Sequence, residues 1–207
     1  MINVVRGDYL NKIFITIVII FFTVVFSGCT QPSLPQTDPN YDYSKVFLTE
    51  KEMCENFKCY EVESSIEETM YGIINTDISI SAKEITFENR RAESSVDEHS
   101  EYSFSVIKQS VSDCLTNSCA QKGLESRKEY FVDRQLRLKD GTIRPLDGVG
   151  AEAYMYWVEG SGVIFVIARQ DNALQEFYFN VNPDKAIPIA KTLVQQGLDK
   201  QLRINNG

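Results

Sequence analysis

Hydrophobic and polar positions change period along the chain, and the clearest change falls between Asp147 and Arg203. Three short runs there, Ala151–Val158, Val163–Arg169 and Leu174–Val181, are rich in β-branched and aromatic residues. They are separated by Glu159-Gly160-Ser161-Gly162 and Gln170-Asp171-Asn172. Runs of that composition between tight turn signals predict an antiparallel meander. Their patterns differ. Val163–Ala168 is apolar at every position, so both of its faces are expected to be buried. Phe177, Phe179 and Val181 point one way, and Glu176, Tyr178 and Asn180 the other. After the third run the spacing becomes helical: Ala186, Ile189, Ala190, Leu193, Val194, Leu198 and Leu202 recur at three and four residues. Lys185, Lys191, Gln195, Asp199 and Lys200 fall mostly on the other side. Asn182-Pro183-Asp184 supplies an N-cap, a proline at the first helical position and a carboxylate in the first turn. Pro188 removes the bond to the Asp184 carbonyl, so the regular helix is expected from Pro188 onward.

Upstream the pattern is weaker. Thr49-Glu50-Lys51-Glu52 fits a capping box and predicts a short helix over Glu50–Phe57. Cys59–Ser65 and Met70–Ile74 read as strands. Ile78, Ile80, Ile85 and Phe87 sit among polar residues in the manner of half-buried strands. Arg90–Ser100 is polar and charged and reads as a loop; Tyr102, Phe104 and Val106 then alternate with Ser103 and Ser105 and restart a strand. Ser110–Gly123 reads as a helix or loop excursion. Lys128–Leu138 and Thr142–Leu146 flank Asp140-Gly141, a turn dipeptide that predicts a hairpin. One C-terminal helix can cover only one face of the doubly apolar middle strand, so the N-terminal half must cover the other. That requirement predicts a single α+β sandwich over residues 45–207, an antiparallel sheet with the amphipathic helix packed on it. Gly148-Val149-Gly150-Ala151-Glu152-Ala153-Tyr154 leading into the meander and helix resembles the C-terminal part of small extracytoplasmic lipoprotein domains with a PsbP-like α/β/α sandwich. The resemblance covers about a third of the chain; it implies a binding or accessory role and transfers no functional residue.

The chain begins with a different pattern. Arg6 and Lys12 precede Ile13–Phe26, fourteen residues whose only polar members are Thr16 and Thr23. A spanning helix wants about 20 apolar residues. This run stops short at Phe26-Ser27-Gly28-Cys29, an ending that resembles the lipobox, with Phe26 where a leucine-like residue is usual. The resemblance implies that residues 1–29 are a lipoprotein signal peptide and that Cys29 carries a lipid, with an uncleaved anchor as the alternative. Residues 30–44 hold Pro32, Pro35 and Pro39, three of the six prolines, and read as a tether. Extended, its ~15 residues would reach about 45 Å. The folded part is thus expected outside the cytoplasm, facing a membrane.

Charge sharpens this only a little. The formal net charge is -8, and residues 30–100 carry 15 acidic and 6 basic side chains, net -9, whereas residues 101–207 balance. Phosphate binding needs a basic face, so nucleic acid is not an expected partner. A solvated acidic surface accounts for the excess.

Beyond Cys29 there are four cysteines, Cys54, Cys59, Cys114 and Cys119, in two pairs with the same C-x4-C spacing. An even count in an oxidising compartment reads as two disulfides, for which three connectivities exist. The local pairs Cys54–Cys59 and Cys114–Cys119 are preferred, with the two crossed arrangements as alternatives. Residues five apart in an undistorted helix lie roughly 8 Å apart, so a local bond requires the helix to end between the cysteines. A four-cysteine zinc site is the competing reading, disfavoured by the spacing. No cofactor or metal is expected. His99, the only histidine, sits in Asp97-Glu98-His99-Ser100 and reads as exposed and idle. No nucleophile elbow accompanies it. Gly160-Ser161-Gly162 lacks the third glycine of a dinucleotide loop.

Tyr154, Met155, Tyr156 and Trp157 form the one aromatic cluster, with Met155 and Trp157 on one face and Tyr154 and Tyr156 on the other. Core packing is the plainer account of it, and a binding surface formed by Tyr154, Tyr156 and Trp157 the sharper one. The reading that unites these observations is a membrane-tethered extracytoplasmic binding or accessory domain, non-catalytic, for a protein or small-molecule ligand. A hydrolase with an unrecognised site and a purely structural envelope component are the alternatives.

Overall fold

The C-terminal meander forms as three antiparallel strands, β5 (Glu152–Val158), β6 (Val163–Gln170) and β7 (Ala173–Val181), in a computed structural model of the chain. The structure describes residues 41–72, 79–89, 104–158, 160–181 and 183–206. The expected signal segment with Cys29, the expected tether as far as residue 40, Ile73, Ile74 and Ile78, the expected Arg90–Ser100 loop with His99, Tyr102, Glu159 and the expected Asn182 cap lie outside the described residues. Four further strands join the meander: β1 (Val62–Gly72), β2 (Ser79–Asn89), β3 (Phe104–Ser112) and β4 (Gly141–Pro145). All pair antiparallel in the order β1-β2-β3-β7-β6-β5-β4, so two meanders meet where β3 lies beside β7.

Helices cover both faces. α1 (Glu50–Cys54) is short, α2 (Asn117–Leu138) crosses from the first meander to the second, and α3 (Pro183–Asn205) ends the chain. On one face Ala190, Leu193, Val194 and Leu198 of α3 pack with Ile164, Val166, Phe177, Phe179, Ile107 and Phe87. On the other, Cys119, Ala120, Leu124 and Phe131 of α2 pack with Ile80, Tyr156, Ile167 and Leu174. Every residue of β6 from Ile164 to Ala168 therefore meets one layer or the other, which explains its unbroken apolar run.

Several expectations are corrected. Lys128–Leu138 is not a strand but the second half of α2, and Asp140-Gly141 joins a helix to β4 rather than closing a hairpin. The helix stops because Lys139 adopts the left-handed conformation, φ 54°, and donates its N–H to the Gln135 carbonyl. Cys59–Ser65 and Met70–Ile74 are not separate strands, since β1 runs unbroken from Val62 to Gly72. The strand expected to restart here does so as β3, with a bulge between Phe104 and Val106 after which burial passes to Ile107. α1 ends at Cys54, short of Phe57. α3 is continuous from Pro183 with an exposed Pro188 inside it. The folded part begins before Lys45 and takes in the end of the tether expected over residues 30–44, for Tyr41 is buried in the core and Tyr43–Lys45 forms a 3-10 turn.

Buried amides tie the layers together. The Leu48 N–H donates to Gln109 Oε1 at 2.7 Å, Gln109 Nε2 to Gln175 Oε1 at 2.9 Å, and Gln175 Nε2 to the Gly197 carbonyl of α3 at 2.8 Å. A Cβ on Gly197 would lie 2.4 Å from Gln175 Oε1, so α3 approaches β7 this closely only because residue 197 is glycine.

Candidate functional site

The cysteines come together as the local pairs, Cys54–Cys59 with Cα atoms 5.4 Å apart and Cys114–Cys119 at 5.5 Å. The first is possible because α1 ends at Cys54. The second works in the opposite sense to the expectation. Asn117 is not a turn after a helix but its first residue, capped by Thr116, whose hydroxyl accepts from the Cys119 N–H at 3.2 Å. With all four sulfurs oxidised no thiolate remains for zinc at these positions, and no cluster of three metal-ligating side chains occurs among the described residues. No helix among the described residues is long and apolar enough to cross a membrane.

The aromatic residues of β5 are not brought to one surface. Tyr156 is fully buried, stacked on Phe131 with ring centroids 5.2 Å apart, and its hydroxyl donates to Asp140. Tyr154 accepts a hydrogen bond from Lys128 at 2.8 Å and donates to Glu152 at 2.9 Å. Trp157 lies on the opposite face under the Arg144 guanidinium, 5.3 Å from the ring centroid. Tyr154 and Tyr156 thus serve the contact of α2 with the sheet, and Trp157 packs against the other core.

A groove of about 570 Å³ opens elsewhere, between the β1–β2 pair and the Tyr43–Lys45 turn. Tyr41, Tyr43, Glu68, Met70, Lys83 and Asp113 line it. The register explains why they meet. Glu68 pairs with Lys83 and Met70 with Ser81 across β1 and β2, so these side chains share one face. Asp113 follows β3 and its N–H donates to the Ser81 carbonyl at 3.2 Å. The turn lays the Tyr41 and Tyr43 rings edge to face, centroids 4.8 Å apart.

Electrostatics distinguish this groove. Burial first, and then the charge of Asp113, push the Tyr43 phenol up; burial likewise raises Tyr41. Both phenols stay protonated at neutral pH. Tyr41 is 9% exposed, and its hydroxyl lies near Gln201 without a well-formed hydrogen bond. Lys83 Nζ stands 5.1 Å from the Tyr43 ring centroid and 3.7 Å from a Glu68 oxygen. A second groove, about 350 Å³, is lined by Glu84, Lys108, Arg127 and Glu176 beside Phe165 and Tyr178. Its charges are matched: Lys108 donates to Glu84 at 2.8 Å, and Arg127 grips Glu176 through two hydrogen bonds of 2.5 and 2.6 Å. A ligand there would have to break a tight pair, whereas the Lys83–Glu68 contact of the first groove is longer, at 3.7 Å.

The sequence reading missed Tyr41 and Tyr43 by assigning them to the tether. Their signal was the spacing Tyr41-Asp42-Tyr43 just after Pro39, two aromatics that a solvated spacer does not require.

Fold and site together define a class: a disulfide-bonded α+β domain whose antiparallel sheet lies between two helices and which carries a tyrosine-walled polar groove at the β1–β2 end. No protein-family model matches the chain, and no curated protein matches its sequence.

Proposed function

We propose that the protein is a membrane-tethered binding domain outside the cytoplasm, anchored by a lipid on Cys29, which takes its ligand in the Tyr41–Tyr43 groove without chemically changing it. The observation that carries the reading is the groove itself. Its volume falls in the range of small-ligand sites, about 300–1,000 Å³, and it combines aromatic walls with a few converging polar groups. Two disulfides support an oxidising compartment. The short apolar run ending at Cys29 supports the anchor.

A thermal-shift screen of the full chain in detergent against small molecules, repeated with Tyr43→Leu, tests the groove. A ligand that raises the melting temperature of the parent and loses its effect in Tyr43→Leu is the expected result. Ligands whose shifts are the same in both would overturn the assignment. For the anchor, Cys29→Ser should abolish palmitate labelling and block cleavage at that site. Unchanged labelling with an unchanged mature N-terminus would remove the lipoprotein reading.

A further inference from the structure

Resting on that reading of the groove, we infer that its ligand carries an ammonium group on a hydrocarbon stem, and that Lys83 occupies the ammonium position as an internal stand-in which the ligand displaces. The first support is geometric. An ammonium already sits 5.1 Å from the Tyr43 ring centroid, inside the roughly 6 Å within which a cation is attracted to an aromatic face. This ring face therefore holds a primary ammonium in the protein as it stands.

The second support is the looseness of that occupant. Lys83 reaches Glu68 only at 3.7 Å, and the Glu68 side chain is 87% exposed. Solvent screens such a pair, so Lys83 can swing away with little lost. Among the described residues Lys83 is the one basic side chain that lines the groove, while Asp113 beside Tyr43 is 5% exposed.

Charge and shape complete the case. Once Lys83 swings away, Glu68 is left to pair with an incoming cation, whereas an anion would meet its repulsion. Met70 supplies apolar wall for a stem. The chemistry recognised is that of the lysine side chain itself: a small alkylammonium ion.

The test is a titration of the full chain in detergent, methyl-labelled at methionine, with n-butylammonium, 1-butanol and butyrate, which share a four-carbon stem and differ in charge. Met70 reports from the groove wall. Saturable movement of the Met70 methyl with n-butylammonium, and not with the other two, is expected. Glu68→Gln, at an exposed position, should weaken binding. The distinguishing variant is Lys83→Met. Removing the internal occupant should tighten n-butylammonium binding by roughly two- to fivefold, the factor an exposed cation–π contact is worth. Weakened binding in Lys83→Met, or butyrate or butanol binding as well as the amine, would overturn the ammonium assignment while leaving the groove in place. No movement of Met70 with any probe would overturn the ammonium assignment too, and the fate of the groove would then follow from the Tyr43→Leu screen.

Discussion

At the scale of single residues, Gly197 and Asp140 carry more than their types announce. Glycine in a helix interior ordinarily costs about 1 kcal/mol relative to alanine. At position 197 the sign should reverse, because a methyl group would press on Gln175 Oε1 and on Phe177. Gly197→Ala is expected to destabilise by about 1–3 kcal/mol, the range for overpacking, and denaturant melts check it. Asp140 supplies a pH dependence. The hydrogen bond from Arg134 first, then that from Tyr156, holds its carboxyl below the usual 3.8. A group whose folded pKa is depressed stabilises above its unfolded value and loses that contribution as pH falls through the folded one. Asp140→Asn should therefore flatten the part of the acid limb below about 3.8 and change its slope little above pH 5. An unaltered acid limb would show that Arg134 and Tyr156 do not hold it. Neither residue could be singled out from the chain alone. The glycine's constraint comes from Gln175, and the aspartate's from Arg134, in a segment read as a strand, and from a tyrosine that the sequence placed only on a strand face.

Elements were legible where burial matched a single period. α3 follows the helical stripe expected of it, and Leu193, in the middle of that stripe, is fully buried. Leu193→Ala should cost about 2–5 kcal/mol through lost transfer energy and the cavity left behind. Lys191→Ala, which removes an exposed contact to the Asp147 carbonyl, should stay within about 0.5 kcal/mol. Equal melting of the two variants would mean the helix does not pack as described. α2 was misread for a physical reason. Its buried stripe includes Cys119, Ala120 and Gly123, too small to register as a hydrophobic face, while Tyr130, Val132, Leu136 and Leu138 are left exposed at the even spacing of a strand. β1 was cut in two because its sequence lacks alternation. As an edge strand it is largely exposed from Glu63 to Glu68, so nothing selects an alternating pattern. Lys200, assigned to the solvent side, instead reaches back to Glu52 at 2.6 Å and to the Phe47 carbonyl at 2.9 Å, which pins α1 to α3.

For the whole molecule, the α+β class and the need for cover on both faces followed from one strand, Val163–Ala168, whereas the strand order could not, since it depends on which meander edges meet. The local disulfides are expected to contribute modestly. Closing a loop of five-residue separation restricts the unfolded chain by only about 2 kcal/mol. The Cys54→Ser, Cys59→Ser double variant should accordingly lose about that much in a denaturant melt and keep its fold. The meeting of β3 with β7 has a kinetic consequence. The side chains and carbonyls that bridge these strands join residues 66 and 75 apart in the chain, with the whole of α2 and three strands between them. Local hairpins can zip early, but the central seam must wait until a long loop has closed, and chains dominated by such distant pairings fold in milliseconds to seconds rather than microseconds. Until that seam forms, the edges of β3 and β7 stand open, and the interval is when a newly made chain is most exposed to pairing with its neighbours.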